Sequence, residues 1–276
     1  MFKIDWSRTK SIFITVFLIL NIALFLLYVN RYNDSRNVGV LGEKNIEARL
    51  KDDNITYVSL PNDIESAAYI SGNVHNFTSD EFKGMEQQVN TFDGSKVRVV
   101  FSKPIKLHDI NKDESFTDFV QTNIKEGTNY TLWEVDHEER VAIFFQKTKD
   151  RILYYNKSGL LKVHWNANNE VTMYEQTMVD NIEEMEQLQS IVPPIQVIQA
   201  LYGKGLLKPD SRIMQMNLGY STLVYFTKTQ VLVPTWEVRV KLSDGEIEEY
   251  FVTADEAKIL EIQADKQEAE EEDWGV

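Results

Sequence analysis

The longest hydrophobic run of the chain lies near its amino terminus. Residues 11–30 carry no charged side chain, and fourteen of these twenty residues are Leu, Ile, Val or Phe. A helix of that length spans about 30 Å at ~1.5 Å per residue, which matches the hydrocarbon core of a bilayer. The apolar side chains favour insertion by about 4–8 kcal/mol, which outweighs the cost of the few polar residues. The pattern predicts a transmembrane helix over residues 11–30.

A cleaved signal peptide is the competing interpretation of this run. However, the apolar stretch exceeds the ~7–15 residues of a signal-peptide core, and the bulky residues that follow it offer no small-residue cleavage site. Three basic residues precede the run and two follow it, and basic flanks stay on the cytoplasmic side of a membrane. We therefore expect residues 1–10 to form a cytoplasmic tail and the chain from residue 31 to be extracellular.

One polar residue, Asn21, lies near the middle of the predicted span. A carboxamide in hydrocarbon gains up to ~1–2 kcal/mol from a hydrogen bond to a neighbouring helix. It can instead bond to the backbone of its own helix. The sequence leaves both alternatives open, so lateral association of this helix is a physical possibility rather than a requirement.

Apolar residues recur at helical spacing in four further segments. The clearest start signal is at Thr78, where Glu81 three residues later completes the pattern of a capping box and apolar residues continue to Val89. Two consecutive prolines, Pro193 and Pro194, are expected to break or kink the last of the helices. The predicted helices cover residues 43–52, 78–89, 115–124 and 183–202.

Alternation of apolar and polar residues predicts strands in most of the remaining chain. Asp244 and Gly245 are typical of a tight hairpin turn between the last two strands, and the strand around Gly219 is expected to bend there. The predicted strands cover residues 55–60, 67–71, 96–101, 140–146, 151–155, 160–165, 170–178, 211–226, 231–242 and 246–253.

Helices followed by antiparallel strands predict an α+β ectodomain in which helices cover one face of each sheet. The helix-then-strands order occurs twice, which favours two similar modules. The predicted organisation is a cytoplasmic tail (1–10), a transmembrane helix (11–30), a polar stalk (31–42), two α+β modules (43–150 and 151–262) and an acidic tail (263–276).

Composition narrows the possible functions. The chain has no cysteine, so it has neither a disulfide framework nor thiolate metal sites. Its formal net charge is −14, and the excess of acid lies after the predicted span. An acidic ectodomain is repelled by nucleic acid and by anionic membrane surfaces, so neither is expected as its partner.

Signatures of catalysis are missing from the sequence. The four histidines are scattered without metal-ligand spacing, so neither a metal nor another cofactor is expected. The segment from Gly219 to Leu223 does not complete a nucleophile elbow, because leucine replaces the second glycine. Trp133, Trp165 and Trp236 are more typical of a core than of a ligand platform. We therefore expect a protein that is not an enzyme.

Two segments resemble known families. Residues 5–14 (DWSRTKSIFI), which run into an apolar span containing asparagine, are similar to the start of the YycI proteins. With their YycH relatives, these are membrane-anchored accessory proteins of the WalK–WalR two-component system of low-GC Gram-positive bacteria. Residues 234–260 resemble the end of PepSY-type modules, although Ala257 stands where that pattern often has glycine.

The YycI resemblance implies a regulatory function rather than a chemical one. It implies that the amino-terminal helix packs beside the spans of the sensor histidine kinase WalK and of YycH, that the ectodomain pairs with YycH, and that together they adjust cell-wall homeostasis. The predicted partner-binding residues are Trp6, Arg8, Lys10, Phe13, Phe17 and Asn21. The alternative hypothesis is a membrane-tethered, PepSY-like inhibitor or chaperone of an envelope protease.

Overall fold

The computed structural model describes residues 6–36, 45–61, 64, 66–83, 87–92, 94–225 and 228–261. The chain divides into two compact units, Met1–Asp52 and Asp53–Val276. Three predicted segments lie partly or wholly outside the described residues. They are the first five residues of the tail, residues 37–42 of the stalk and the whole acidic tail from residue 263.

The first unit contains two helices, α1 (Trp6–Arg36) and α2 (Ile46–Asp52). The large apolar side chains of α1 between Phe13 and Leu27 are at least half exposed. Within the residues that the structure describes, no helix combines the length and the apolarity needed to cross a membrane. The span predicted over residues 11–30 stays a prediction. Residues 31–36, predicted as stalk, continue α1 instead.

The second unit is an α+β fold built on a mostly antiparallel sheet, as the sequence predicted. Its two α-helices are α3 (Asp113–Asn123) and α4 (Pro194–Gly203), and short 3-10 helices cover Ser79–Phe82, Gly127–Asn129 and Lys157–Gly159. The strands are β1 (Thr56–Tyr57), β2 (Ser66–Val74), β3 (Gln87–Phe92), β4 (Lys96–Lys106), β5 (Tyr130–Asp136), β6 (Val141–Thr148), β7 (Arg151–Tyr154), β8 (Leu160–Trp165), β9 (Glu170–Thr177), β10 (Val179–Ser190), β11 (Arg212–Tyr225), β12 (Thr229–Lys241), β13 (Ile247–Thr253) and β14 (Ile259–Leu260).

Hydrogen bonding orders the strands as β10-β2-β12-β11-β7-β6-β8-β9-β4-β3, with β5 on β6, β13 on β12, β14 on β13 and β1 on β11. We call β3–β6 with β8 and β9 the first half of the sheet, and β2 with β10–β14 the second half. Only the pairs β7–β11 and β1–β11 are parallel among the strands that the structure describes.

The first half of the sheet is covered by α3. Side chains alternate along each strand, so every second one is buried beneath the helix. Val97 and Val99 of β4 are fully buried in this way, and α3 adds Phe116, Phe119 and Val120 to the same core. The predicted strands at 140–146, 160–165 and 170–178 are confirmed by β6, β8 and β9.

The second half has its own buried residues on α4 and β12. Val197, Ile198 and Leu201 of α4 have no exposed surface, and neither has Trp236 of β12. The Trp236 indole donates a hydrogen bond to the Val192 carbonyl at 3.1 Å, which fastens the segment before α4 to the sheet. Gly245 adopts a positive φ of 97° in the turn between β12 and β13, so the predicted hairpin is confirmed.

The two halves join where β7 runs parallel to β11. Tyr220 is in register with Leu153, and Ser221 with Tyr154. At Gly219 an added Cβ would lie 2.5 Å from the Ile152 carbonyl oxygen and 2.4 Å from the Tyr154 ring. Only glycine permits this close approach of the two strands.

The helix predicted from Thr78 to Val89 is wrong beyond its first turn. The capping box forms, with the Thr78 N–H donating to Glu81 Oε1 at 2.9 Å, but the helix is a 3-10 turn that ends at Phe82. Val89 belongs to β3 and is paired with Val99 of β4. Pairing with an existing strand therefore decides the conformation of a segment whose apolar spacing is compatible with a helix.

The helix predicted over residues 183–202 is wrong in its first part. Residues up to Ser190 form β10, which pairs with β2, and α4 begins only at Pro194. Proline disfavours the helical conformation in the residue before it and suits the first turn of a helix. The two prolines therefore start a helix here instead of kinking one.

The predicted division into modules at residues 150 and 151 is crossed by strand pairing. The turn at Lys149 and Asp150 joins β6 to β7, and β8 and β9 pair within the same half of the sheet as β4 and β6. The module boundaries and their likeness to PepSY modules stay predictions.

Candidate interaction sites

The predicted partner-binding residues lie on α1. Lys10, Phe13, Phe17 and Asn21 are exposed, and the exposed fraction reaches 72% for Phe13 and 67% for Phe17. Trp6 and Arg8 belong to the first turns of the helix, but their side chains lie outside the described residues.

Helical spacing places most of these residues on one side of α1. Trp6, Lys10, Phe13, Phe17 and Asn21 follow one another at intervals of three or four residues, so they form a continuous line along the helix. We call these five residues the α1 stripe. Arg8 follows Trp6 by two residues and falls outside the stripe.

The Asn21 carboxamide bonds to the backbone of its own helix, which is one of the two alternatives that the sequence left open. Its Nδ2 donates to the Phe17 carbonyl oxygen of the same helix at 2.8 Å. This bond uses one of the two N–H groups of the amide, and the side chain also carries an acceptor oxygen. A second helix could therefore bond to Asn21 without breaking the internal bond.

The second unit has a cleft where the two halves of the sheet meet. Its volume is about 520 Å³, which is within the range of small-ligand pockets. The walls come from α3, β5 and the facing ends of β11 and β12, and they are lined by Asp113, Glu114, Thr117, Asp118, Thr131, Leu132, Trp133, Glu134, Val135, Ile152, Gln215, Asn217, Glu237 and Arg239.

A buried carboxylate, Glu237, is among the residues that line this cleft. It is 1% exposed and accepts hydrogen bonds from Arg239 Nε at 2.6 Å, Asn217 Nδ2 at 3.1 Å and the Tyr154 hydroxyl at 3.4 Å. Burial raises the pKa of the Glu237 carboxyl above its ordinary value, and Arg239 acts in the opposite direction. A buried charge needs such partners, because an unpaired one costs several kcal/mol.

Arg239 pairs with two carboxylates, those of Glu237 and Glu249, and stacks on an aromatic ring. Its guanidinium lies over the Trp133 ring, 4.4 Å from the centroid, and its Nε is 3.3 Å from Glu249 Oε1. The Trp133 indole donates to the Tyr155 hydroxyl at 3.0 Å, and that hydroxyl donates to Glu249 at 3.2 Å. Trp133 is half-buried and packs against the cluster of Phe145, Tyr154, Tyr155 and Phe251, whereas Trp165 and Trp236 are buried in the core as predicted.

The rim of the cleft is acidic. Asp113, Glu114 and Asp118 come from α3, and Glu134 comes from β5. Arg239 is the one basic residue among the described residues that line the cleft, and two carboxylates already neutralise it. The cleft therefore attracts positive charge.

Sequence reasoning missed this cleft. The sequence predicts Glu237, Arg239 and Glu249 only as residues of strands. The usable signal was the spacing of Glu237 and Arg239 two residues apart within an apolar strand, which places both on one face. Within the part of the chain that the structure describes, no three acidic or histidine side chains group as a metal site.

Comparisons with solved structures concern the fold. An uncharacterized protein from Eubacterium rectale has 11% identity and a TM-score of 0.47, with 76% of this chain and 92% of that chain covered. The C-terminal domain of Bacillus megaterium YpeB has 10% identity and a TM-score of 0.41, with 80% and 96% covered.

Comparison with curated proteins finds no match to this chain. Comparison with family models does: the model described as "YycI protein" matches residues 36–255, which is most of the chain. This match covers α2, both halves of the sheet except β14, and the cleft between α3 and β12. The resemblance inferred from residues 5–14, which lie outside the match, is thus confirmed by the remainder of the sequence: the chain belongs to the YycI protein family.

Proposed function

We propose that this chain is a membrane-anchored regulator of the sensor histidine kinase WalK, which acts through its amino-terminal helix and its ectodomain. Residues 11–30 span the membrane with the amino terminus in the cytoplasm, and the second unit lies outside the cell. The observation that carries the proposal is the family match over residues 36–255.

Family membership supports the general part of this proposal. YycI proteins are membrane-anchored and regulatory rather than catalytic, and membership implies accessory regulation of the WalK–WalR system. The specific contacts with WalK and with a YycH-type protein are the proposed part.

The contact inside the membrane uses the α1 stripe. Its exposed Phe13 and Phe17 provide surface for close packing against neighbouring helices, and Asn21 can donate or accept one further hydrogen bond across the interface. Packing and interhelical hydrogen bonds are the forces that join helices in lipid. The hydrophobic effect does not drive this association, because lipid tails are as apolar as the helix side chains.

The contact outside the membrane uses the acidic cleft. A positively charged segment of a YycH-type partner would contact the carboxylates of Asp118 and Glu134 on the rim and the aromatic ring of Trp133 in the cleft. Charge complementarity of this kind speeds association and fixes orientation more than it adds to affinity.

Exchange of the anchor tests the proposal. Residues 1–31 are replaced by an unrelated single-span anchor of the same orientation, and expression of WalR-dependent genes is measured. We expect regulation of the kinase to be lost while the ectodomain remains at the membrane, as quantified in membrane fractions. Normal expression of those genes with the foreign anchor would refute the intramembrane contact.

A further inference from the structure

The edge of β5 that faces away from β6 is open. Among the strands that the structure describes, β5 pairs with β6 alone. In an antiparallel pair, about half of the backbone N–H and C=O groups of a strand point away from its neighbour. Within the described residues, no hydrogen bond reaches these outward groups between Thr131 and Val135. The edge therefore offers backbone donors and acceptors to a further strand.

This open edge lies inside the acidic cleft. All five residues from Thr131 to Val135 line the cleft, and each of their side chains keeps part of its surface exposed. Successive side chains of a strand point to opposite faces, so a cleft that touches all five runs along the edge of the strand. Five residues of strand extend over about 17 Å, which is the length of a short peptide segment.

The two walls of the cleft come from opposite faces of the sheet. Leu132 and Val135 pack against the core beneath α3, and the first turns of α3 form the first wall. Trp133 packs on the other face, against the cluster that includes Tyr154 of β7, and residues of β7, β11 and β12 form the second wall. The edge of β5 is the floor between them. A strand added there would extend the first half of the sheet.

Four acidic side chains surround the open edge: Asp113, Glu114 and Asp118 on α3, and Glu134 on β5 itself. Within the described part of the chain, none of these four carboxylates has a hydrogen bond or an ion pair. Asp113 and Glu114 also stabilise the first turn of α3, where acidic side chains oppose the helix dipole, but Asp118 and Glu134 have no such role. The floor and the first wall therefore attract positive side chains.

The second wall carries little net charge. Its ionic residues, Glu237 and Arg239, pair with each other at 2.6 Å, and the other residues are apolar or amides: Ile152, Gln215 and Asn217. A strand between the walls would direct every second side chain to each of them. The residue pattern that fits is therefore basic side chains alternating with uncharged ones.

From this geometry we propose that the cleft binds an extended segment of its partner, which pairs with the open edge of β5 as an additional strand. Basic side chains of the segment point to α3, and uncharged ones point to the second wall. In this binding mode, backbone hydrogen bonds supply affinity and alternate side chains supply specificity. The inference rests on the proposed contact between the cleft and a YycH-type partner, and it adds the conformation and the residue pattern of the bound segment.

Peptides of one composition test the pairing with the full chain in detergent micelles at low salt. The first is a seven-residue peptide of alternating lysine and valine, and the second has the same residues in block order. Two further copies of the first carry N-methyl groups on the backbone amides of the valines or of the lysines. Each set of amides lies on one edge of the peptide strand, so only one methylated copy loses its hydrogen bonds to β5.

The expected result is a difference between the two edges of the peptide. One methylated copy should bind about tenfold or more weakly than the first peptide, and the other should stay within about threefold. The block-order peptide, with equal charge, should bind at least fivefold more weakly. Fluorescence anisotropy of labelled peptides measures all four affinities. Equal binding of the two methylated copies, equal binding of the block-order peptide, or no binding of any peptide would overturn the inference.

A charge variant tests the predicted residue pattern. Asp118→Lys should lower the affinity for the lysine–valine peptide about tenfold and leave that for a serine–valine peptide within about twofold, because only the former carries charge towards α3. Glu246→Lys, at an exposed position outside the cleft, should leave both affinities unchanged. Equal effects of the two variants would contradict the pattern.

Amide hydrogen exchange in the complex with a YycH-type chain separates this inference from the proposed contact itself. The outward amides between Thr131 and Val135 should exchange at least tenfold more slowly in the complex, whereas the amides of the β8–β9 hairpin should not change. If Asp118→Lys with Glu134→Lys slows association but the partner leaves exchange in β5 unchanged, the contact holds and strand pairing is refuted. If that charge reversal has no effect on association, the contact with the YycH-type chain fails, and protection of β5 by the lysine–valine peptide would still establish the strand site.

Discussion

At the crossing of β7 and β11, Gly219 occupies a position where a side chain has no room. A Cβ atom added there would lie 2.5 Å from the Ile152 carbonyl oxygen and 2.4 Å from the Tyr154 ring, well below contact distance. The parallel pairing of these two strands joins the two halves of the sheet. A side chain at position 219 would therefore disturb the pairing on which the continuous sheet depends.

Gly219→Ala should therefore destabilise the protein by about 1–3 kcal/mol, because the backbone must shift to accept one methyl group. The free energy of unfolding in denaturant measures this. Gly203→Ala is the control, since nothing lies within 4 Å of an added Cβ there, and it should be neutral or stabilising by up to ~1 kcal/mol. Equal effects of the two substitutions would contradict the steric explanation.

Glu81 links stability to pH. Burial would raise its pKa, but Lys125 Nζ at 2.5 Å, the Thr78 backbone N–H and His75 lower the pKa to about 2. A carboxyl with a folded pKa below its unfolded value of ~4.5 stabilises the fold above pH ~4.5, and this contribution disappears as pH falls towards 2.

Glu81→Gln should thus lower the free energy of unfolding by about 1–2 kcal/mol at pH 7. The difference from the natural chain should shrink between pH 4.5 and 2, when both are followed by denaturant titration across that range. The neighbouring residue Asp80 forms an exposed ion pair with Lys83 and serves as the control. Asp80→Asn should change the free energy of unfolding by less than about 0.5 kcal/mol at any pH. A difference for Glu81→Gln that stays constant down to pH 2 would exclude the linkage.

At the scale of elements, the sequence predicted those parts whose pattern has one interpretation. The alternating runs of β8 and β9, and the Asp244–Gly245 turn, have the periodicity and turn residues of antiparallel strands and form as expected. The acidic run before Pro193 and the segment around Val89 have spacings that suit a helix or a strand. Their conformation is decided by partners distant in sequence, β2 and β4, which local pattern does not reveal.

The cleft could not be predicted for the same reason. Its residues come from positions 113 to 239, and they meet only because β7 pairs in parallel with β11. The buried Glu237 and its partner Arg239 gave a local signal, but the surface they belong to depends on this long-range pairing.

The α1 stripe gives a prediction at the scale of one helix. Phe13→Ala and Phe17→Ala combined with Asn21→Leu should weaken association with WalK in native membranes about tenfold, because packing and one interhelical hydrogen bond are lost. Quantitative co-purification measures this. Ile19→Ala with Leu26→Ala removes apolar surface from the opposite side of the same helix and should leave association unchanged. Equal losses from both sides would argue against a specific stripe.

At the scale of the whole molecule, the acidic cleft predicts salt-dependent association with a YycH-type partner. Asp118→Lys with Glu134→Lys should slow association about tenfold or more at low salt, because two rim carboxylates become repulsive towards a basic segment. The loss should fade as salt approaches 1 M, where such fields are screened. Surface plasmon resonance with the two purified chains, run at low and at high salt, would measure both association rates.

The matched control carries the same change of net charge elsewhere. Glu246→Lys with Glu256→Lys alters two exposed acids outside the cleft and should leave the association rate within about twofold of the natural value. If the control slows association as much as the cleft variant, the attraction comes from the total charge of the ectodomain and the cleft has no special role.

The order of strands also determines when the fold can be completed. β2 is bordered by β10 and β12, and β12 begins about 150 residues after β2 ends, with the whole first half of the sheet between them. At synthesis rates of ~5–20 residues per second, β2 waits about 8–30 s for both neighbours. A chain emerging from its amino end would fold its intervening half first, while Ala67, Ala68 and Ile70 stay uncovered. During synthesis, these residues are the ones that a holding chaperone has most reason to protect.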